Sequence, residues 1–452
     1  MSASKVSASR HGLARGERRD PTGVAVAALT QLAQSPLLDR LGLRERVQQA
    51  VSSVTSAGFR GAVATQRQLR SFTRKGGSQP GLRPSTGAAR GEFDLTPTDD
   101  EQMLADVARE FAAEVLRPAA AAADDTLRTA EETLAGAAEI GLHLIGVPES
   151  LGGIAEERSA VATALVLEAL AHGDMGQAVA TMSTGAVATA LSLWGTDEQQ
   201  QTYLSALTCD GPAVASLVLT EPSVLFDAMS PTATAERRGE GFVLNGIKTL
   251  APRAADAALL LVGATLDGEG RLFVIEAGTP GVTITADPAM GLRAAATARI
   301  ELDDVAVEAI ALVGSAEDYR ACVRSSRLAW CALAVGTGQA VLDYVTPYVK
   351  ERQAFGEPVA HRQSVAFMVA NIAIELEAMR LATLKAAARL DRGKDAAREI
   401  ALARRLCADK GMQIGLDGVQ LLGGHGFVKE HPVERWYRDL RAVGVLEGGV
   451  LI

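Results

Sequence analysis

Hydrophobic and polar residues change their spacing twice along the 452-residue chain. Thr98 and Glu101 form a Thr-x-x-Glu pattern, which is typical of a helix start because each side chain can cap the other residue's amide. Apolar residues then recur every four positions and share one helical face, at Met103, Val107, Phe111 and Val115. Helical patterning of this kind extends to about Gly211, with a break at Gly152 and a short polar-faced helix predicted over 195–207.

A strand-like pattern replaces the helical one from about residue 212. The Asn245-Gly246 pair stands between short apolar segments, and this arrangement predicts the turn of a β-hairpin. Four further strands are predicted, at Leu259–Val262, Leu272–Ile275, Val282–Thr285 and Ala298–Leu302. A β-domain of roughly a hundred residues follows from this, in line with ordinary domain size.

Long helices return from about Glu317. Apolar residues keep spacings of three and four at Val365, Met368, Ile372, Leu376 and Met379. Helices that are long and light in aromatic residues are typical of a bundle. The predicted fold is therefore mainly α with a central β-domain, an α-β-α succession divided at 92–211, 212–310 and 311–452.

The first 91 residues form an Arg-rich extension with two distinguishable parts. Residues 24–51 are rich enough in Ala and Leu to form helix, whereas 75–90 have the Gly, Ser and Pro content of a linker. The extension either docks on the body, a partner or a membrane surface, or is a loosely ordered appendage. Glu17, Asp20 and the lack of an amphipathic pattern argue against a targeting sequence.

Composition excludes several classes of function. A net charge of -9 argues against nucleic acid as the main partner, although one local basic pocket can still hold an anionic substrate. The four cysteines lack CxxC spacing, so neither a disulfide framework nor a zinc site is expected, and a cytoplasmic location with reduced thiols fits better. His172, His361, His425 and His431 have no metal-ligand spacing. No apolar run reaches the ~18 residues of a membrane span.

Specific motifs follow one another in the second half of the chain. In order, they are Leu219-Thr-Glu-Pro222, Glu351-Arg-Gln-Ala-Phe-Gly356, Gln363, Gln420-Leu-Leu-Gly-Gly-His-Gly426, Pro432-Val-Glu434, Arg438-Asp439 and Leu446-Glu-Gly448. Their order and intervals resemble the acyl-CoA dehydrogenase family from about Glu92 onward. The resemblance implies a helical domain, a β-domain and a four-helix domain, with FAD bound between the last two, in a homodimer or homotetramer. It also implies oxidation of an acyl-CoA thioester to the 2-enoyl-CoA, with electrons passed to an electron-transfer flavoprotein.

The residue matched to the family's catalytic base is Glu447. A thioester α-proton is weakly acidic, so a base must be held against it in a dry pocket, and a carboxylate is suitable if burial raises its pKa towards the working pH. Glu447 has apolar neighbours on both sides, and its backbone N–H is expected to polarise the thioester carbonyl. The alternative for Glu447 is a solvated turn residue. Arg327 matches a family arginine near the active site, or is an ordinary helix residue.

The resemblance also implies a set of cofactor-binding residues. Arg352 matches an arginine that pairs with the FAD pyrophosphate, unless it is a surface charge. Gln420 and Gly424 match a pattern that approaches the dinucleotide of an adjacent subunit, where glycine permits close backbone approach or merely ends a helix. The remaining matches are Phe355 and Gln363 near the adenine, Thr220 at the pyrimidine end of the flavin ring, and Gly448 beside the base.

The chain departs from the family pattern at three places near the expected flavin ring. Ser223–Asp227 replaces small residues, so Val224 to Phe226 are expected to crowd the loop. Leu250–Ala254 replaces Trp-Ile-Thr-Asn-Gly, and Pro252 offers neither a hydroxyl nor an N–H. Gly449 replaces a threonine after Glu-Gly. The closing helix that is usual in the family is not found before Ile452.

Three functions remain open from the sequence. The first is an active dehydrogenase for an unusual acyl chain. The second is a flavin-poor pseudoenzyme or partner subunit that keeps the fold for assembly. The third is an oxidase or monooxygenase on the same fold, which would require oxygen to reach the reduced flavin.

Overall fold

The computed structural model describes residues 95–209 and 211–452. The predicted helix over 24–51 and the predicted linker over 75–90 lie outside these residues. In the described chain, a helical region is followed by a sheet and then by a second helical region. The predicted α-β-α class is therefore confirmed.

The first helical region begins at the predicted capping box. The Thr98 hydroxyl accepts from the Glu101 amide, and the Glu101 carboxylate accepts from the Thr98 amide. Its helices are α1 (Asp99–Phe111), α2 (Arg117–Thr126), α3 (Glu131–Glu139), α4 (Ala160–Gly173), α5 (Met175–Trp194), α6 (Asp197–Gln199) and α7 (Ser205–Thr208). Single π-helical turns at Ala112–Leu116 and Gln200–Leu204 join neighbouring helices. The short helix predicted over 195–207 is thus present as α6, a π-turn and α7.

The apolar stripe predicted on α1 does not form its core face. Met103 and Val107 are 59% and 42% exposed, whereas Ala105 and Ala108 are fully buried. Small residues allow α1 to approach α4, so the alanine face is the one that packs. The predicted helix is present, and its core face is formed mainly by alanines.

The central region is an eight-stranded sheet. Its strands are β1 (Ala215–Val218), β2 (Thr234–Arg238), β3 (Gly241–Pro252), β4 (Leu259–Leu266), β5 (Glu269–Glu276), β6 (Val282–Ala286), β7 (Thr297–Val307) and β8 (Leu312–Val313). The order is β6-β7-β3-β2-β4-β5-β8, and β1 pairs with β4 in parallel. The four strands predicted from residue 259 onward lie in β4, β5, β6 and β7, as expected.

The hairpin turn predicted at Asn245-Gly246 is wrong. The two residues lie inside β3, and the turn between β2 and β3 comes earlier, after Arg238. Asn245 instead bonds across to Asp304 of β7, while Gly246 has φ +145° at an irregularity in the pairing. A β-carbon on Gly246 would lie 2.6 Å from that of Ala233, so close strand packing requires glycine here.

The second helical region contains α8 (Ala316–Glu351), the small hairpin β9 (Gln353–Ala354) and β10 (Glu357–Pro358), α9 (Gln363–Asp391), α10 (Ala397–Leu422) and α11 (Val433–Ala442). The stripe predicted along α9 faces the core, since Ile372, Leu376 and Met379 are buried. Among the described residues, α8 alone is long and apolar enough to cross a membrane. Of its most apolar stretch, 78% is buried within the fold, as in the core helix of a bundle.

A buried polar network fastens α11 to the other two regions. Both terminal nitrogens of Arg438 donate to the Asp124 carboxylate, at 2.9 and 3.0 Å. Asp439 accepts from the Leu292 amide at 2.6 Å, and Arg435 donates to Asp174 at 3.1 Å. This network fixes the helix from which the chain runs directly to Glu447.

Candidate active site

The segment that follows α11 returns to the sheet and carries Glu447 with it. Gly448 forms an antiparallel bridge with Val218, the last residue of β1. The Gly449 amide donates to the Leu217 carbonyl at 3.0 Å. Because Leu446 and Val450 are buried on either side, Glu447 is held where the sheet meets the second helical region.

Two arginines from different helices face the Glu447 carboxylate. Arg327 of α8 donates from Nε to both oxygens, at 2.9 and 3.2 Å. Arg404 of α10 has its Nη2 3.7 Å from Oε1 and donates to the Leu446 carbonyl at 2.7 Å. The Glu447 side chain is only 9% exposed. The predicted pair of Glu447 and Arg327 is therefore brought together, and Arg404 joins it.

Burial and charge act in opposite directions on the Glu447 carboxyl group. Burial raises the pKa of Glu447, while the positive charges of Arg404 and Arg327 oppose that rise. The net result is a pKa above the ordinary value. A carboxylate whose pKa is raised is a stronger base than an exposed one.

Thr220 bonds both backbone polar groups of Glu447. Its hydroxyl donates to the Glu447 carbonyl at 2.8 Å and accepts from the Glu447 amide at 3.0 Å. The amide expected to polarise a thioester, and the hydroxyl expected to reach a flavin, are thus paired with each other.

Gly448 is clamped by two side chains of α8. The Ser326 hydroxyl accepts from the Gly448 amide at 2.8 Å, and the Trp330 indole N–H donates to the Gly448 carbonyl at 3.0 Å. Gly448 has φ +77°, a left-handed conformation that favours glycine. Both backbone groups of Gly448 are therefore bonded to the protein.

A buried ion pair fixes the Thr-Glu-Pro turn that carries Thr220. Lys248 of β3 lies 2.8 Å from Glu221, and the two side chains are 0% and 1% exposed. Glu221 also accepts from the amides of Thr232 and Ala233. The carboxylate is satisfied on both oxygens, so the turn has one geometry and Thr220 is presented to Glu447.

A cavity of about 540 Å³ adjoins the Glu447 segment. Leu446 lines it together with Leu250 of β3, Met290 and Met412. Polar groups reach it from α10 and α11, at Arg405, Asp409, Arg438 and Arg441. Its size and its mainly apolar walls are those of a small-molecule site, with few polar groups to fix orientation.

A second cavity, of about 520 Å³, contains three of the predicted cofactor residues. Arg352, Gln420 and Gly424 all line it, beside Tyr348 and His425. A β-carbon on Gly424 would meet nothing within 4 Å, so the space above this glycine is open to a ligand. The Tyr348 hydroxyl lies 2.8 Å from Nδ1 of His425 and holds that ring at the edge of the cavity.

Phe355 and Gln363 lie apart from the residues that line either cavity. Phe355 occupies the turn between β9 and β10 with φ +57° and is 97% exposed. The Arg362 guanidinium stacks over its ring at 5.6 Å. Gln363 is exposed at the first turn of α9. A left-handed, exposed phenylalanine is uncommon enough to suggest a functional contact outside this chain.

Three family profiles match the chain in series. Acyl-CoA dehydrogenase, N-terminal domain, matches residues 98–209; the middle domain matches 216–305; and the C-terminal domain matches 319–449. The chain belongs to the acyl-CoA dehydrogenase family. Its family is one of oxidoreductases, in agreement with the sequence prediction.

Individual relatives cover nearly the whole described region. The chain is 33% identical to the probable acyl-CoA dehydrogenase YngJ of Bacillus subtilis (strain 168), over 79% of this chain and 96% of the relative. The structure of butyryl-CoA dehydrogenase from Megasphaera elsdenii matches with a TM-score of 0.71 and 27% identity, over 77% and 94% of the two chains. A structure of PigA with FAD and proline matches with a TM-score of 0.72 and 26% identity, over 79% and 96%.

The three departures from the family pattern have different outcomes. Val224 and Leu225 are 102% and 91% exposed, so neither side chain packs against the described residues, and the expected crowding of the flavin site by this loop stays a prediction. The other two departures meet in space. A β-carbon on Gly449 would lie 2.9 Å from Cγ of Pro252, so the proline ring fills the room that a side chain at position 449 would need.

Sequence reasoning missed Arg404 and Lys248. Arg404 is 42 positions from the carbonyl that it bonds, and Lys248 is 27 positions from Glu221. No local motif signals either contact. An alignment of family members could have drawn attention to both, because buried charges are costly unless paired.

Proposed function

We propose that this protein is an FAD-dependent acyl-CoA dehydrogenase. It converts an acyl-CoA thioester to the 2-enoyl-CoA, and an electron-transfer flavoprotein accepts the electrons. The observation that carries the proposal is the Glu447 carboxylate. It is 9% exposed, contacts two guanidiniums, and follows a residue that lines the 540 Å³ cavity.

Glu447 is the base that removes the α-proton. Its burial raises the carboxyl pKa, which makes the carboxylate more basic, while Arg327 and Arg404 preserve an ionised fraction near neutral pH. Arg327 also fixes the direction of the carboxylate, because its Nε contacts both oxygens. The buried neighbours Leu446 and Val450 keep water away from the reacting carbon.

Thr220 fixes the backbone of Glu447. Its hydroxyl donates to the Glu447 carbonyl and accepts from the Glu447 amide, so the two residues hold each other in position. Thr220 therefore helps to set the orientation of the base.

The donor set fits FAD at two places. Leu250, Met290 and Leu446 form apolar walls that suit a flat ring system in the first cavity. Arg352 offers a planar guanidinium suited to a pyrophosphate in the second, where Gly424 leaves room for close approach. Gln420 lines the second cavity with Arg352. Phe355 and Gln363, which line neither cavity, and Gly448, whose backbone groups are bonded to Ser326 and Trp330, stay proposed contacts implied by the family. FAD supplies the acceptor for the hydride that leaves the β-carbon.

An apolar stripe supports the homo-oligomer implied by the family. Phe367, Ile374 and Leu381 recur every seven residues along α9 and are 59%, 65% and 48% exposed. Such a stripe on one helix face is typical of an interface. We propose that a second copy covers it, and that the second cavity, which contains Arg352, Gln420 and Gly424, holds the pyrophosphate part of the FAD of the neighbouring subunit. The cytoplasmic location and the division of the chain at residues 91, 211 and 310 remain predictions.

A flavin-poor partner subunit is the alternative function. Leu250 and Pro252 stand where the family has an aromatic residue and a threonine, and both changes remove contacts to a flavin. The packing of Pro252 against Gly449 supports an adapted loop instead. A protein that takes up no FAD would favour the partner-subunit function.

The visible spectrum of the purified protein tests the proposed function. FAD is added, the excess is removed, and acyl-CoAs of increasing length are mixed in without oxygen, starting with butyryl-CoA. We expect bound flavin to bleach with one class of acyl-CoA. Rapid reoxidation by oxygen in preference to a flavoprotein acceptor would indicate an oxidase. Bound flavin that no acyl-CoA reduces would contradict the proposal.

A further inference from the structure

Arg404 is an unusually buried cation within α10. Its side chain is 12% exposed, and its neighbours Ala403 and Cys407 are fully buried. Nη2 donates to the Leu446 carbonyl at 2.7 Å, whereas the buried Nη1 has no hydrogen-bond partner. Burying a guanidinium is costly, and an apolar side chain of similar volume would stabilise the helix better. Stability of α10 therefore does not explain this residue.

The two arginines at Glu447 differ in their other partners. Arg327 is 24% exposed and also approaches the exposed Asp227, with 3.8 Å between Nη2 and Oδ1. The carboxylate that Arg404 approaches within ion-pair distance, among the described residues, is that of Glu447. Arg327 therefore lies between two carboxylates, those of Glu447 and Asp227, whereas Arg404 lies beside Glu447.

Building on the proposed function, we propose that Arg404 is a positioning residue. It fixes the backbone at Leu446, and its positive charge beside the carboxylate favours the ionised form of Glu447. The other ionisable groups around the pair are Arg327, Tyr319 and Cys331 of α8, Cys407 of α10 and Asp227. Burial raises the pKa values of Tyr319 and Cys331, so both are neutral and add no charge near neutral pH.

Two variants separate the charge of Arg404 from its hydrogen bond. Arg404→Gln keeps a donor for the Leu446 carbonyl but loses the charge, and Arg404→Lys keeps the charge. Arg398→Gln, at an exposed position of the same helix, is the matched control. Stopped-flow reduction of the FAD-loaded protein by the acyl-CoA that bleaches the wild type is measured from pH 5.5 to 9.

The expected result follows from the charge. Without Arg404, the kinetic pKa of the base rises by about one unit, so the reduction rate falls about tenfold at low pH and recovers at high pH. Arg404→Lys restores most of the wild-type profile, and Arg398→Gln leaves it unchanged. An unchanged kinetic pKa in Arg404→Gln, or a loss that is equal at every pH, would overturn the proposal.

A second measurement does not depend on the reaction. Thermal unfolding is measured between pH 5 and 8 for four proteins: the wild type, Arg404→Gln, Glu447→Gln and the double variant. Loss of Arg404 raises the pKa of Glu447 in the folded state further. The destabilisation caused by Arg404→Gln should therefore increase as pH rises through that range. In the Glu447→Gln background, the destabilisation caused by Arg404→Gln should not change with pH. If the effect of Arg404→Gln depends on Glu447 but no acyl-CoA is oxidised, the role of Arg404 is supported and the proposed function is rejected. If an acyl-CoA is oxidised but the effect of Arg404→Gln does not depend on Glu447, the proposed function is supported and the role of Arg404 is rejected.

Discussion

Pro252 and Gly449 occupy one volume between β3 and the segment that carries Glu447. A β-carbon on Gly449 would lie 2.9 Å from Cγ of Pro252, and Gly449 has φ +78°. The two positions depart from the family pattern together because a proline ring at one requires the absence of a side chain at the other. The end of β3, which departs from the family pattern, is therefore packed closely against the segment that carries Glu447.

Replacing Gly449 should reveal this dependence. Gly449→Ala introduces both a left-handed alanine, at a cost of about 1–2 kcal/mol, and contact with the proline ring. Pro252→Ala should relieve the contact only. We expect the double variant to be more stable than the sum of the single effects by about 0.5–3 kcal/mol in urea unfolding. Additive effects would contradict the shared volume.

The Glu221–Lys248 pair should be among the most sensitive sites in the sheet. Lys248→Met leaves a buried carboxylate without its cation, and we expect a loss of about 3–5 kcal/mol in the free energy of unfolding. Lys385→Met, at an exposed position, is the control. Adding Glu221→Gln to Lys248→Met should recover part of the loss, and a double variant less stable than Lys248→Met would refute the account.

The stability that the Glu221–Lys248 pair contributes should depend on pH. Burial tends to raise the pKa of Glu221, but Lys248 and the hydrogen bonds from Thr232 and Ala233 outweigh burial and leave it lowered. A lowered folded pKa stabilises the protein at neutral pH, and this contribution is lost as pH falls through that value. Acid unfolding of the wild type should therefore be steeper than that of the double variant.

Asp439 should give the opposite dependence of protein stability on pH. Burial and the nearby Asp174 raise the pKa of Asp439 to about 7. The native state then holds a proton that the unfolded state releases, so stability falls as pH rises from about 4 to about 7. Asp439→Asn should become more stable relative to the wild type across that window, measured by thermal unfolding. The exposed Asp303→Asn should show no such trend, and a flat difference for Asp439→Asn would exclude this assignment.

Arg352 should control retention of FAD. Arg352→Met removes the guanidinium from the second cavity, and we expect FAD affinity to fall about 10- to 100-fold at low salt, consistent with loss of a charge-assisted contact. Arg352→Lys should lose less, because it keeps the charge but not the planar fork. Lys350→Met, at an exposed position two residues away, should bind FAD normally. Equal affinity for Arg352→Met and the wild type would remove Arg352 from the site.

The sequence predicted the elements of the fold better than their packing. Strands from residue 259 onward and the core stripe of α9 could be read from spacing, because each depends on local periodicity. The local sequence Asn245-Gly246 predicted a turn that is not there, because pairing of β3 with β7 overrides the local preference of the dipeptide. The spacing of apolar residues on α1 did not show which face is buried, because the core face consists of alanines while Met103 and Val107 are exposed.

The site was predicted in part, for a physical reason. Glu447, Thr220, Gly448 and Arg327 were identified by resemblance, and the structure brings them together. Arg404 was missed because it lies in the first half of α10, outside the motif that begins at Gln420. The bond between Thr220 and the Glu447 amide was missed as well, since hydrogen bonds between distant residues leave no trace in local spacing.

Reduction of bound FAD by the Glu447→Gln variant tests the central claim most directly. The variant is loaded with FAD and mixed without oxygen with the acyl-CoA that bleaches the wild type, with Glu430→Gln as the exposed control. We predict that FAD stays bound, that the control reacts normally, and that the rate of flavin reduction in Glu447→Gln falls by about 10²- to 10⁴-fold. A rate equal to that of the wild type would show that Glu447 is not the base.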